Sequence, residues 1–132
     1  MSEDFDIALL SVLGQLVEAR EDQSDAEKRL HDYRAAETPP EIPNEFEDVD
    51  AFLDYHHRRQ SYENHLRQHE NALKMAKREY TEAAEQLLVF LPDGVPLRYT
   101  YEGDRSRLFG AEYGIVRKQG EIVIQSPSRA TS

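Results

Sequence analysis

The chain has 132 residues, no cysteine, no tryptophan and a formal net charge of −10, with 39% hydrophobic and 32% charged residues. That composition suits one compact domain over residues 1–132 and excludes disulfide frameworks, thiolate metal sites and thiol nucleophiles. No apolar run approaches the roughly 18 residues that a membrane-spanning helix needs, so no membrane association is expected. The first six residues carry acids where a secretory leader would be basic, and a cysteine-free chain fits the reducing cytoplasm, which is the expected location.

The charge is uneven along the chain. Residues 1–50 hold 15 acids against 4 bases, residues 51–91 hold six of each, and residues 92–132 hold five acids and six bases. Acid over the first third repels phosphate backbones, so general nucleic-acid binding is disfavoured, with the last third as the place for any exception.

In chain order, the first element predicted is a helix over 2–36. Ser2 is an acceptable cap, and Glu3, Asp4 and Asp6 suit the positive end of the helix dipole. Phe5, Leu9, Val12, Leu16, Ala19, Gln23, Ala26, Leu30 and Tyr33 alternate at spacings of four and three, the seam of a coiled coil. An acidic, proline-rich turn over 37–48 follows, broken by Pro39, Pro40 and Pro43, with Asn44 or Asp48 as the next cap. The second helix is predicted over 49–91, its seam running through Phe52, Tyr55, Arg59, Tyr62, Leu66, His69, Leu73, Ala76, Tyr80, Ala83, Leu87 and Phe90. At 1.5 Å per residue the two helices would be roughly 50 and 60 Å long, and the short connection makes them antiparallel.

Folding the chain at the middle of the turn pairs Tyr33 with Phe52, Leu30 with Tyr55, Gln23 with Tyr62, Leu16 with His69 and Phe5 with Tyr80. Ala83, Leu87 and Phe90 would then overhang the first helix, and the third segment is expected to cover them together with Leu10, Leu13 and Val17. After Pro92, Asp93 and Gly94 the period changes to two. Val95, Leu97, Tyr99 and Tyr101 alternate with Pro96, Arg98, Thr100 and Glu102. A second strand is predicted over 108–117, with Gly110 and Gly114 suggesting a bulge or a close approach. A tight turn at Gln119 and Gly120 then leads into a third strand over 121–125. The expected fold is α+β and mainly α: a long antiparallel helical hairpin, a coiled coil, followed by a three-stranded antiparallel β-meander over 95–125 and a flexible tail over 126–132.

Five groups of residues come nearest to a site. His65 and His69 are one helical turn apart and could share a metal ion, with His56 and His57 close by. Two imidazoles lack the third ligand that zinc needs, so the plainer reading is solvated histidines and a tolerated polar seam position. Gln23 and Arg59 also interrupt the seam, and Arg59 could reach out toward Asp22 or Glu27. Tyr55, Tyr62 and Tyr80 read as packing residues with hydroxyls at the rim. At the tip, Ile42, Phe46 and Val49 stand among acids, either to meet a basic partner or merely to close the end of the hairpin. In the meander, Arg98, Arg105, Arg107, Arg117 and Lys118 gather beside Tyr99, Tyr101, Phe109 and Tyr113, a mixture that can bind single strands but is also ordinary for a solvated sheet.

No nucleophile elbow, phosphate-cradling loop or metalloprotease motif is present, and no cofactor is implied. The sequence therefore predicts a non-enzymatic interaction protein, an adaptor or scaffold. Bare strand edges and the overhanging seam suggest that it associates with itself, as a dimer or larger homo-oligomer, or with another protein. The alternatives are a nucleic-acid-binding module built on Arg98, Tyr99, Tyr101, Arg105 and Arg107, and a metal-binding protein built on His65 and His69.

Overall fold

A computed structural model describes residues 2–125, and the tail expected over 126–132 lies outside them. Two long helices, α1 (Ser2–Ala36) and α2 (Val49–Leu88), pack together as an antiparallel hairpin. Strands β1 (Leu97–Thr100), β2 (Glu112–Lys118) and β3 (Glu121–Gln125) follow as a meander in the order β1-β2-β3. The seam period is matched by burial: every seam position from Leu9 to Tyr33 and from Tyr62 to Leu87 is buried or half-buried. No helix among the described residues is long and apolar enough to cross a membrane.

The chain divides into two compact units, each drawing on both helices. Among the described residues, the first joins those up to 21 with residues 77–125. Its core packs Leu13, Leu16 and Val17 of α1 and Ala83 and Leu87 of α2 with Tyr99, Tyr113, Ile115, Ile122 and Ile124 of the sheet. Each fully buried leucine here contributes roughly 2–3 kcal/mol by leaving water. Strand alternation aims these side chains: Tyr113 and Ile115 point inward, while Glu112 and Gly114 face the other way. Tyr99 stands opposite Tyr113, and Ile124 opposite Ile115.

The β2–β3 turn is a two-residue hairpin in which Gln119 and Gly120 both adopt left-handed backbone, with φ of 52° and 78°. This conformation matches the natural twist of the strands. Of the two glycines flagged in the expected second strand, Gly110 lies before β2 in a loop, and Gly114 is crossed by the Gln125 side chain. That loop closes on Tyr101, whose N–H donates to the Ala111 carbonyl and whose carbonyl accepts from Gly110 N–H, each at 2.9 Å. The Tyr101 ring is fully buried, and its hydroxyl donates to Glu18 and accepts from Arg105 N–H. A side chain at Gly103 would collide with that ring.

Three expectations change within this unit. α2 stops at Leu88 and not at residue 91, because the N–H groups of Phe90 and Leu91 both turn back onto the Leu87 carbonyl. Arg117 is no surface base: Nη1 donates to the carbonyls of Leu88 at 2.9 Å and Leu91 at 3.4 Å. It supplies the cation that the last turn of α2 lacks. Phe5 packs edge-on against Phe90, 5.1 Å between centroids, and not against Tyr80. Ala83 and Leu87 therefore do not overhang α1 and lie in the core with its side chains, whereas Phe90 and Leu10, expected to be covered with them, stay 51% and 55% exposed.

The second unit, residues 22–76, is built on the facing stretches of the two helices and the connector between them. Tyr33 stacks on Tyr62 at 5.7 Å, ten residues beyond its expected partner Phe52. The Phe5–Phe90 pair departs from its expected register by the same ten residues. The connector explains the shift. Its prolines favour extended backbone, and instead of closing symmetrically it runs back along the first turns of α2, with Phe46 packed on Phe52 and Tyr55 at 5.2 and 5.4 Å. The opening turns of α2 thus meet the connector in place of α1. Arg59, freed from the expected register, donates to Glu63 one turn on at 2.9 Å instead of reaching Asp22 or Glu27.

Candidate protein-interaction surface

α2 starts where Asp48 caps it: the carboxylate accepts from Ala51 N–H at 2.7 Å, and its carbonyl accepts from Phe52 N–H at 3.3 Å. Of the two rival caps, Asp48 is the one used. This start fixes the direction of the next side chains. Val49 and Phe52 lie one turn apart, as do Val49 and Leu53, so all three share a side of the helix. They remain open to solvent, with Val49 71%, Phe52 45% and Leu53 42% exposed, and Ile42 of the connector is 77% exposed. Single exposed aliphatics are ordinary, whereas four within one short stretch mark a surface that contact would bury.

The electrostatics of this stretch are one-sided. Between Arg34 and Arg58 the chain carries Glu37, Glu41, Glu45, Glu47, Asp48, Asp50 and Asp54, with no lysine or arginine. Arg58 closes the stretch and is paired with Asp54 at 2.8 Å. His56 stacks on Phe52 at 6.2 Å and lies 6.0 Å from His57, so these two imidazoles border the apolar group.

Of the tip residues read from the sequence, Ile42 and Val49 are exposed, whereas Phe46 is half-buried as the ring that fastens the connector to α2. Phe52 and Leu53 belong to the exposed group and were missed, Phe52 because the expected register gave it Tyr33 as a partner. A signal was present: Leu53 is an apolar residue beside the seam and off its period.

His65 and His69 both lie against Tyr33, at 6.3 and 5.0 Å between ring centroids. Among the described residues no three His, Cys, Asp or Glu side chains come together in a way that could hold a metal ion. Tyr33, Pro39, Pro40, Arg58, Tyr62 and His65 line an open groove of about 620 Å³. Burial, then the nearby Glu37 carboxylate, raises the Tyr33 phenol above its ordinary value.

The β-module residues separate by face. Arg98 and Arg107 are exposed and Arg105 is half-buried, but Tyr99 and Tyr101 turn their rings into the core. The stacking surface expected from these two tyrosines is therefore absent, and its physical reason is the strand alternation that sends Tyr99 inward and Arg98 outward. Arg98, Gly114 and Gln125 border a shallow open depression on the outer side of the sheet. Tyr80, Tyr99, Tyr101 and Tyr113 all have raised phenol pKa values with burial as the first cause; Glu18 adds to the effect at Tyr101 and Glu21 at Tyr113.

The edge of β3 is also spoken for. Tyr80 donates its hydroxyl to the Ile122 carbonyl at 2.8 Å, and Arg20 donates to the Ile124 carbonyl at 3.0 Å. Two carbonyls that an added strand would need are thus occupied by side chains from the helices. Compared with known protein families, curated proteins and solved structures, the chain matches none.

Proposed function

We propose that this chain is a non-enzymatic protein–protein interaction protein, an adaptor or scaffold, that meets its partner with the exposed apolar and acidic surface at the connector and the start of α2. The observation that carries this reading is the joint exposure of Ile42, Val49, Phe52 and Leu53 within a stretch holding seven acids and no lysine or arginine. Apolar exposure supplies the driving force for association, and charge of one sign supplies selectivity and steering. The sheet-bearing unit serves as the stable base. The absence of cysteine supports a cytoplasmic setting.

Self-association is supported less than the sequence suggested. Its two motives were an overhanging seam and bare strand edges; of the seam Ala83 and Leu87 are buried while Phe90 is 51% exposed, and of the two edges that of β3 is blocked by Tyr80 and Arg20. The nucleic-acid alternative loses support with the burial of Tyr99 and Tyr101, and the metal alternative because, among the described residues, no third ligand stands beside His65 and His69.

Photo-crosslinking in the native cell tests the reading. A benzophenone amino acid at Val49 should give a discrete adduct with another protein, whereas the same probe at Val123, on the outer side of the sheet, should not. No adduct from Val49, or the same adduct from both positions, would overturn it.

A further inference from the structure

We infer that the partner segment received at the connector end is a cationic amphipathic helix of a different protein, lying on α2 where α1 has already ended. The inference rests on the interaction reading above and adds the chemistry of what is bound.

The helical form follows from the displaced register. Tyr33 meets Tyr62, and α1 ends at Ala36, so the first turns of α2 project past the end of α1. Phe52 and Tyr55 are nevertheless seam residues, at the spacing by which one helix receives another. The connector gives them one aromatic ring, Phe46, and leaves Phe52 45% exposed. Val49 and Leu53 extend this open side at helical spacing. The connector occupies one side of these turns through Phe46, and the side it leaves open, from Val49 to Arg59, is roughly 15 Å long, room for about three turns of a second helix. A helix placed on that open side meets α2 at the spacing that α1 uses elsewhere and leaves the connector in place.

The cationic character follows from charge. Seven carboxylates lie between residues 35 and 57 in sequence, one of them, Asp54, paired with Arg58, and the next guanidinium, Arg59, is paired with Glu63. A nucleic acid or an anionic lipid surface would be repelled. A second copy docked symmetrically on the same surface would set the seven acids of one against the seven of the other, which costs energy in an isologous contact. Lysines or arginines flanking an apolar stripe of leucine, isoleucine or phenylalanine complement both features.

The test uses the full chain labelled with ¹⁵N and two synthetic probes: a leucine–lysine amphipathic helix of about 11 residues and its leucine–glutamate counterpart, a length set by the three-turn stretch. The leucine–lysine helix should shift the amides of residues 42–59, with an affinity that falls about tenfold between about 0.05 and 0.3 M salt. The leucine–glutamate helix should leave the spectrum unchanged. Val49→Ser with Leu53→Ser should weaken binding by about tenfold while preserving its salt dependence. Glu45→Gln, Glu47→Gln and Asp50→Asn together should flatten that dependence, whereas Glu79→Gln with Glu82→Gln should change nothing. Equal binding of both probes, shifts outside residues 42–59, or no binding of the leucine–lysine helix would each overturn the inference. A Val49 crosslink to another protein combined with a silent leucine–lysine titration would retire the cationic helix and leave the interaction reading standing.

Discussion

The two compact units are built from the same pair of helices, yet they solve the burial problem differently. In the sheet-bearing unit a third segment lies over the helices, and leucines, isoleucines and tyrosines become fully enclosed. In the connector unit the pair is alone, and among its described residues only Ala26, Leu30 and Ala76 are buried. Two helices shield the small residues between them and Leu30, but leave other larger seam side chains, such as Tyr33, Tyr62, Leu66 and Leu73, half-buried. Stability should therefore concentrate where the sheet is.

Core truncation should separate the units most strongly. Leu87→Ala should cost about 3 kcal/mol, and Leu66→Ala, at a half-buried seam position of the other unit, about 1 kcal/mol, read by urea denaturation. Equal losses would break the comparison. Next comes Gly103→Ala, expected to cost about 2 kcal/mol because the new methyl meets the enclosed Tyr101 ring.

Changes at the two ends of α2 should be smaller. Arg117→Met, which strips the helix C-terminus of its cation, should cost about 1.5 kcal/mol. Asp48→Ala, which removes the cap of the same helix at its other end, should cost about 1 kcal/mol. Amide exchange sharpens this pair: loss of the Asp48 cap should speed exchange in residues 49–55 and leave the sheet protected, while loss of Arg117 should do the reverse.

The smallest effect, absent at neutral pH, is alkaline. Tyr80, Tyr99, Tyr101 and Tyr113 hold their protons above the ordinary phenol value of about 10, so the unfolded chain ionises first. Their contribution is complete below that value and is lost as pH rises through it toward the folded pKa values. Stability measured from pH 7 to 11 should be level at first and then decline. A decline already present at pH 8 would contradict it.

Much of this fold was legible in the residues. The four-and-three spacing identified both helices and their buried sides, and the alternation after Gly94 identified a sheet. The same alternation already placed Tyr99 and Tyr101 on the side opposite Arg98, so their burial was readable even though they were weighed as a stacking surface. The register was not readable, because it depends on the path of residues 37–48. Three prolines announce a break without saying that Phe46 will return to Phe52 and Tyr55. Nor could Arg117 be recognised: an arginine beside a lysine near a strand end looks solvated until the strand is laid against a helix terminus. The interaction surface inherits that division, with its acids and Ile42 visible from the start and Phe52 concealed by the assumed pairing.

The guanidinium of Arg117 also bears on the order in which the molecule can be assembled. The carbonyl it caps on Leu88 lies 29 residues earlier in the chain, so the terminus of α2 is finished by a residue made well after the helix itself. Until β2 is in place, that last turn has neither its cation nor the cover over Leu87, and it should fray. The hairpin is therefore not a cassette that could be cut out and grafted elsewhere. A chain ending after α2 would expose its largest enclosed side chains, and a transplant meant to carry the connector surface would have to bring the meander with it.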